Sequence, residues 1–352
     1  MYLHSFNYFR GIAILFIVAG HCLYMSGWVI DSVAEKWFAN LVLGGTTLFV
    51  FISGFLFHHI YVARFNYQKF MATKIKNVLL PYLVLSIPLV LYFVLVKGGG
   101  PYAEYIFSHT PGGLADSIQP IIFYLWTGRI LEAYWYIPFI MVIFASSPLV
   151  LSFLRLRPAM RLLLVGCLFI IALFIQRPVL NLSVLQSVVY FLPVYLLGVL
   201  GSLHRDKVYL HFNGRELPLL IVIMLLALIQ AIYYPSFGNL HKSPWLFRLP
   251  DVLLVQKIIL CVFFMVLFHR MENKTIPFLD TVASASFAIY FIHPYLLWGV
   301  QLILNRKYPL LTQLQGPILW LMMTPVILLV SLGIARGVRA VFKSYSRIII
   351  GW

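Results

Sequence analysis

The chain has 352 residues, 62% of them apolar, with a mean hydropathy of +0.94 and only 10% charged side chains, against about 25% in soluble globular proteins. That balance excludes a soluble domain, a disordered chain and a small secreted module built on disulfides. Apolar runs of about 20 residues, enough to cross a ~30 Å hydrocarbon core as a helix, recur from end to end and predict an all-α integral membrane protein. The formal charge of +16 follows from the same reading. Lys and Arg gather in the cytoplasmic loops of membrane proteins, so this charge reports topology and not a nucleic-acid partner.

Ten spans are predicted, near 7–28, 41–62, 77–97, 133–153, 162–177, 184–203, 216–234, 251–270, 284–304 and 315–341. The first lacks the basic n-region and cleavage site of a signal peptide and reads as a transmembrane helix. Cys22, Cys167 and Cys261 fall inside apolar segments without a CxxC partner and read as small core hydrophobes. Seventeen Lys and Arg fall on one side, in the loops 63–76, 154–161, 204–215 and 270–283 together with Arg10 and the tail. Eight fall on the other, among them Arg129, Arg177, Arg306 and Lys307. The asymmetry predicts both termini in the cytoplasm. Two outward loops, 98–132 (with GGGP, His109 and PGG) and 235–250 (rich in Pro and aromatics), are longer than turns require and suit a site cover. One membrane domain spans 1–352, without internal repeats.

Ionisable groups at membrane depth are costly and mark candidate sites. In the first helix Arg10 and His21 stand eleven residues apart, about 20° past three full turns, so both share one face at ~16 Å separation. That face offers a cation near the cytosol and a titratable imidazole past mid-membrane. The competing reading has Arg10 snorkelling to lipid and His21 satisfied in the core. In the second helix Gly54 permits close helix approach and Ser53 can hydrogen-bond across helices, while His58 and His59 suit the interface. Lys74 and Lys76, ahead of Pro81 and Tyr82, suit an anionic ligand and equally the positive-inside rule. Glu132, beside Tyr134, Trp135 and Tyr136, is placed to orient a histidine, and the aromatics suit an interfacial belt. Lys257 either snorkels or, facing the bundle, pairs with Glu132 or a substrate carboxylate. His293, before Pro294, is a ligand or part of a helix kink. The scattered histidines lack companions at metal-ligand spacing, so no metal is expected.

The pattern Arg10, ten residues, His21 resembles the signature of the membrane-bound acyltransferase family 3. The resemblance continues through FVFISGF (49–55), the basic segment with Pro81 and Tyr82, YWYIP (134–138) and SFAIYFIHP (286–294), in order over essentially the whole chain. At one position the sequence departs. Ala133 stands where the family often has a histidine two residues before the fourth-helix Trp, so a second imidazole is missing there, a gap Glu132 partly fills.

The resemblance implies a standalone enzyme of the bacterial inner membrane, without an appended hydrolase-like domain. It would transfer acetyl, or alternatively succinyl, from cytoplasmic acyl-CoA to a hydroxyl of an envelope or exopolysaccharide glycan, with acyl-CoA as co-substrate and no permanently bound cofactor. In this scheme His21 and Glu132 are catalytic, His21 as general base. Arg10, Lys74, Lys76 and Tyr82 hold the CoA. Ser53, Tyr134, Trp135, Tyr136, Lys257 and His293 contact the reacting groups or the acceptor, with Trp245 as a further sugar-stacking candidate. Lys257 or Arg129 would meet the distal carboxylate of a succinyl donor. Expected partners are acyl-CoA, a glycan or lipid-linked glycan, membrane lipid and polysaccharide export machinery. The rival functions are a transporter of a lipid-linked sugar or anion, and a non-catalytic member of such machinery.

Overall fold

The computed structural model describes residues 3–106, 114–305 and 316–352; His109, Arg306 and Lys307 lie outside the described residues. Helices α1 (His4–Met25), α2 (Val33–Val42), α3 (Gly45–Leu56), α4 (Tyr67–Lys74) and α5 (Leu80–Leu91) come first, then the short α6 (Ala103–Ile106) and α7 (Leu114–Thr127) within the long loop. There follow α8 (Tyr136–Ala145), α9 (Ser147–Arg155), α10 (Pro158–Ile175), α11 (Val184–Leu203), α12 (Arg205–Phe212), α13 (Glu216–Tyr233) and α14 (Val252–His269). The chain closes with α15 (Pro277–Ser284), α16 (Ser286–Asn305), α17 (Pro317–Phe342) and α18 (Ser346–Ile349). Among the described residues there is no sheet, only an isolated bridge between Arg177 and His241.

Among the described residues nine helical segments are long and apolar enough to cross a membrane, and the bent pair α8–α9, taken as one span, makes a tenth. The fold class is therefore the expected one, a polytopic all-α membrane protein, but two spans are not the straight rods that periodicity suggested. The second begins earlier, at Val33, and breaks between α2 and α3. The fourth bends by 52° where Ser146 Oγ donates back to the carbonyls of Val142 and Ile143, both at 3.0 Å, just ahead of Pro148. Back-bonding serines and prolines both bend helices.

Burial separates a centre from a periphery. In the most apolar window of each span, 67% is buried for the α2–α3 span and for α11, against 11% for α10 and 22% for α13. Apolar residues facing outward on α10 and α13 face lipid. The centre is held by a backbone-close crossing of α3 and α11. A Cβ on Gly54 would land on the Tyr195 carbonyl, and one on Gly198 on the Phe51 carbonyl, which is how small residues let membrane helices meet. The start of α1 is tied down from the loop after α14, where the Glu272 carboxylate accepts the His4 and Ser5 N–H groups at 2.6 and 3.0 Å. A carboxylate there also complements the helix dipole. With α1 fixed at this end, the position of His21 is set by the length of the helix.

The α3–α11 crossing predicts that Gly54→Ala destabilises the detergent-solubilised protein by about 2 kcal/mol or more through overpacking. Gly166→Ala on lipid-facing α10, where a Cβ meets nothing within 4 Å, leaves the unfolding transition unchanged. Thermal denaturation of both variants checks this.

Candidate active site

Three adjoining spaces lie in file through the bundle. At the face carrying both termini, about 1170 Å³ of empty space is lined by Arg10, Ser53, Tyr61, Lys74, Asn77, Phe144, Arg347 and Trp352, among others. At the opposite face, about 850 Å³ is lined by residues including His21, Gly44, Thr46, Glu132, Trp135, Arg177 and His241. Between them lies a waist of about 390 Å³, whose lining includes Ile17, His21, Thr46, Phe49, Tyr136, Phe287 and Tyr290. His21, Ile17, Thr46 and Trp135 belong to both the waist and the far cavity, while Phe49 and Phe287 belong to both the waist and the near one. Shared walls set the three spaces in file, with His21 between the waist and the far cavity.

Arg10 and His21 share a face of α1, as their spacing requires, with Arg10 on the near cavity and His21 on the waist and far cavity. Arg10 is braced by Ser286 Oγ, at 3.2 Å from its Nε, and by the Ala283 carbonyl. The His21 ring lies 5.4 Å, centroid to centroid, from that of His293 on α16. His293 is fully buried and its Nδ1 sits 2.9 Å from the Ile289 carbonyl. A carbonyl only accepts, so Nδ1 carries the proton and Nε2 is left with a lone pair. That Nε2 has no partner among the described residues. A second imidazole thus lies beside His21 from α16, not from position 133, and Ala133 itself lines the waist, its carbonyl accepting from Tyr290.

A local backbone irregularity lies among the remaining groups. A widened π turn spans Ile75–Leu79, and Lys74 and Lys76, two residues apart and so on different helix faces, reach different spaces. Lys74 enters the near cavity, its Nζ 4.6 Å from the centroid of the Phe144 ring. Lys76 opens on an adjoining basic cavity of about 1050 Å³ with Arg339, Lys343, Arg347 and Trp352. Such turns concentrate at functional sites. Tyr136 in the waist lies 3.5 Å, hydroxyl to hydroxyl, from Ser53 at the edge of the near cavity.

Other predicted residues are placed elsewhere. Tyr82 is buried, donating to the Leu125 carbonyl at 2.8 Å, and Tyr134 to that of Phe291 at 2.8 Å, so both serve packing. Trp245 is 94% exposed and lines none of the three spaces. Lys257 faces the bundle but pairs with no carboxylate among the described residues. Its Nζ donates to the carbonyls of Asn40 and Leu41 at 3.0 and 2.8 Å, capping the broken end of α2 where the helix leaves acceptors unused. Glu132 lines the far cavity, paired with Arg129 at 3.2 Å and accepting from the Tyr102 hydroxyl at 3.0 Å. That pairing ties up Arg129 as well.

The residues that sequence reasoning missed are in the far cavity. Arg177 was counted only as a loop charge, yet it is 4% exposed and stacks over Trp135 with 4.5 Å from its guanidinium carbon to the ring centroid. His241 joins it, its Nδ1 2.7 Å from the Pro178 carbonyl; burial and then the Arg177 charge push its pKa down to about 4, so the ring is neutral near pH 7 and Nδ1–H donates. No signal in a single sequence pairs residue 177 with residue 241.

The sequence profile of the acyltransferase 3 family, described as an acyltransferase domain, matches residues 3–336. The chain belongs to this family. It is accordingly a multi-pass membrane acyltransferase, and the three spaces around His21 are its candidate active site. No curated protein and no solved structure matched the chain in the same comparisons.

The Lys257 cap predicts that Lys257→Ala, which strips two buried carbonyls of their donor and leaves a cavity, destabilises this acyltransferase by about 3 kcal/mol. Lys257→Arg retains a share of that stability. Unfolding monitored by tryptophan fluorescence measures both.

Proposed function

We propose that this family member transfers an acyl group, acetyl or alternatively succinyl, from acyl-CoA at the face of the termini to a glycan hydroxyl presented at the opposite face. The observation that carries this reading is the position of His21, which walls the waist and the far cavity while the near cavity opens toward the basic end of the same helix face. The excess of Lys and Arg on the side of the termini supports placing that side in the cytoplasm of a bacterial inner membrane.

On the donor side, an acyl-CoA brings phosphates at one end and a thioester at the other. The cations Lys76, Arg339, Lys343 and Arg347 of the basic cavity suit the nucleotide phosphates, and Arg347 and Trp352 also wall the near cavity. Arg10 and Lys74 extend the positive lining inward. The Asn77 Oδ1, buried without a partner among the described residues, suits an amide N–H of the pantetheine arm. The thioester then reaches Phe49 and Phe287 at the waist.

On the acceptor side, Trp135 offers a flat ring to a sugar. His21 takes the proton of the attacking hydroxyl, whose oxygen bonds to the thioester carbonyl carbon. The tetrahedral oxyanion is met by the Tyr136 hydroxyl and by the first-turn N–H groups of α3. The carbon–sulfur bond breaks, and the departing CoA thiolate recovers a proton, leaving free thiol and an ester. His293 Nε2 is the neighbouring acceptor that shares the proton with His21. An acyl-histidine relay is the alternative course, distinguished by trapping acylated His21 in the absence of acceptor.

Under this reading His21→Ala lowers ester formation by at least about a hundredfold with insertion and folding intact, and His293→Ala lowers it by about tenfold. Arg10→Ala and Arg347→Ala raise the KM for acyl-CoA by about tenfold each with little change in kcat. Release of free thiol and mass spectrometry of the glycan read all four. Normal acylation by His21→Ala overturns the proposal and favours transport of a lipid-linked sugar.

A further inference from the structure

The far cavity contains a cation that forms no ion pair among the described residues, although the buried Asp251 carboxylate lies near enough to interact with its charge. Among the described residues the three ion pairs involve Arg129, Arg205 and Arg270, and the undescribed stretches contain no Asp or Glu. Arg177 is 4% exposed, forms no hydrogen bond from its guanidinium to any described residue, and its Nε is buried without a partner. Its only close contacts of note are the faces of Trp135 and Phe191, at 4.5 and 5.6 Å from the guanidinium carbon. Ring faces offset part of the charge but offer no lone pair to five N–H donors. Leaving a guanidinium so nearly dry and unpaired costs several kcal/mol.

Three basic residues nearby have partners: Arg129 has Glu132, Lys242 the carbonyls of Ser243 and Pro244, and Lys257 those of Asn40 and Leu41. Asp251 is fully buried and accepts from the Tyr190 hydroxyl at 2.8 Å and the Leu254 N–H at 3.0 Å.

Arg177 is also held in place at some expense. Its backbone N–H donates to Leu240 at 3.2 Å and its carbonyl accepts from Lys242 at 3.0 Å. Gln176, Leu180 and Asn181 around it take left-handed φ values of 55°, 51° and 54°, each costing about 1–2 kcal/mol for a residue with a side chain. Across the same cavity the first turn of α3 presents the N–H groups of Gly45 and Thr46, which have no intrahelical acceptor. A guanidinium and a helix N-terminus on one cavity, beside a neutral His241 and with the Glu132 carboxylate of the same lining already paired to Arg129, form a lining suited to an anion.

We infer that Arg177 and the start of α3 recognise a carboxylate, carried by an acidic sugar of the acceptor or by the distal end of a dicarboxylic acyl group. The inference rests on the acyl-transfer reading for which of these molecules enters, but not for the anion site itself. A bidentate carboxylate on Arg177 would place the rest of the ligand against Trp135 and His21, setting specificity rather than performing the chemistry.

The test uses the whole protein in nanodiscs. Transfer from acetyl-CoA is compared on a glucuronate-containing oligosaccharide and on its carboxyl-reduced, glucose-containing counterpart. In a second arm, succinyl-CoA is compared with acetyl-CoA on the neutral oligosaccharide. Wild type is expected to favour the carboxylated member of one arm by about tenfold or more, and Arg177→Gln to lose that preference while Arg177→Lys keeps part of it. The arm that shows the preference names the source of the carboxylate. Equal rates in both arms for wild type, or a preference untouched in Arg177→Gln, overturn the anion site and leave acyl transfer standing. A separate readout is thermal stabilisation by glucuronate over glucose, lost in Arg177→Gln. Should no arm give product while that stabilisation is present, the anion site stands and the acyl-transfer reading falls; should it be absent too, both fall.

Discussion

A buried lysine caps the helix break around which the site is built. Lys257 has no charge partner among the described residues and satisfies two backbone carbonyls at the end of α2, and its side chain packs where Gly44, at φ +90°, turns the chain into α3. A Cβ at residue 44 would press on the Lys257 stem, and few residues with side chains adopt that φ. An unbroken helix across residues 33–56 would close its own N–H groups in the ladder. The break frees them opposite His21, and the lysine makes the break tolerable in a dry interior. Irregular backbone at this depth survives only where something satisfies it or a cavity receives it, and here each side of the break has one of those.

From that break the rest of the site follows. The crossing of α3 with α11 at Gly54 and Gly198 fixes how deeply α3 sits, and with it Ser53 and Phe49 on the near side of the waist. Glu272 fixes α1 at its start, so Arg10 reaches the near cavity and His21 the waist and far cavity by helix length alone. The α16 helix brings His293 against His21, and the short connection after α10 is stitched to the long outer loop 235–250 at Arg177 and His241. Each element contributes one or two side chains, and no loop contributes the chemistry alone.

How much of this was legible in the sequence depends on range. Span number, membrane class and the Arg10–His21 face all rest on local periodicity and hydropathy, and these survived contact with the structure. The close approach at Gly54 was visible because a small residue in an apolar helix has few other uses. The break at residues 43–44, the bend at Ser146 and the π turn before Leu80 were not visible, because each depends on partners far along the chain. For the same reason Lys257 looked like a candidate for Glu132 and proved to cap a helix. Arg177, a charge near a predicted helix end, gave no local sign of being enclosed by Trp135 and Phe191. Tyr82 and Tyr134 read as site residues from their motifs, and their hydroxyls went to carbonyls of neighbouring helices instead.

The aromatic waist has a bioenergetic consequence. Two polar cavities that approach from opposite faces of a membrane and meet at an imidazole are most of the way to a proton wire. A continuous file of water past His21 would dissipate the gradient that an energised membrane maintains. Phe49, Phe287, Tyr290 and Trp135 leave little room for such a file at the point where the two cavities join, and the His293 Nδ1 proton is committed to a carbonyl and does not face either side. The narrowness of the waist is therefore also the membrane's insulation, and any widening of it would be felt as a leak.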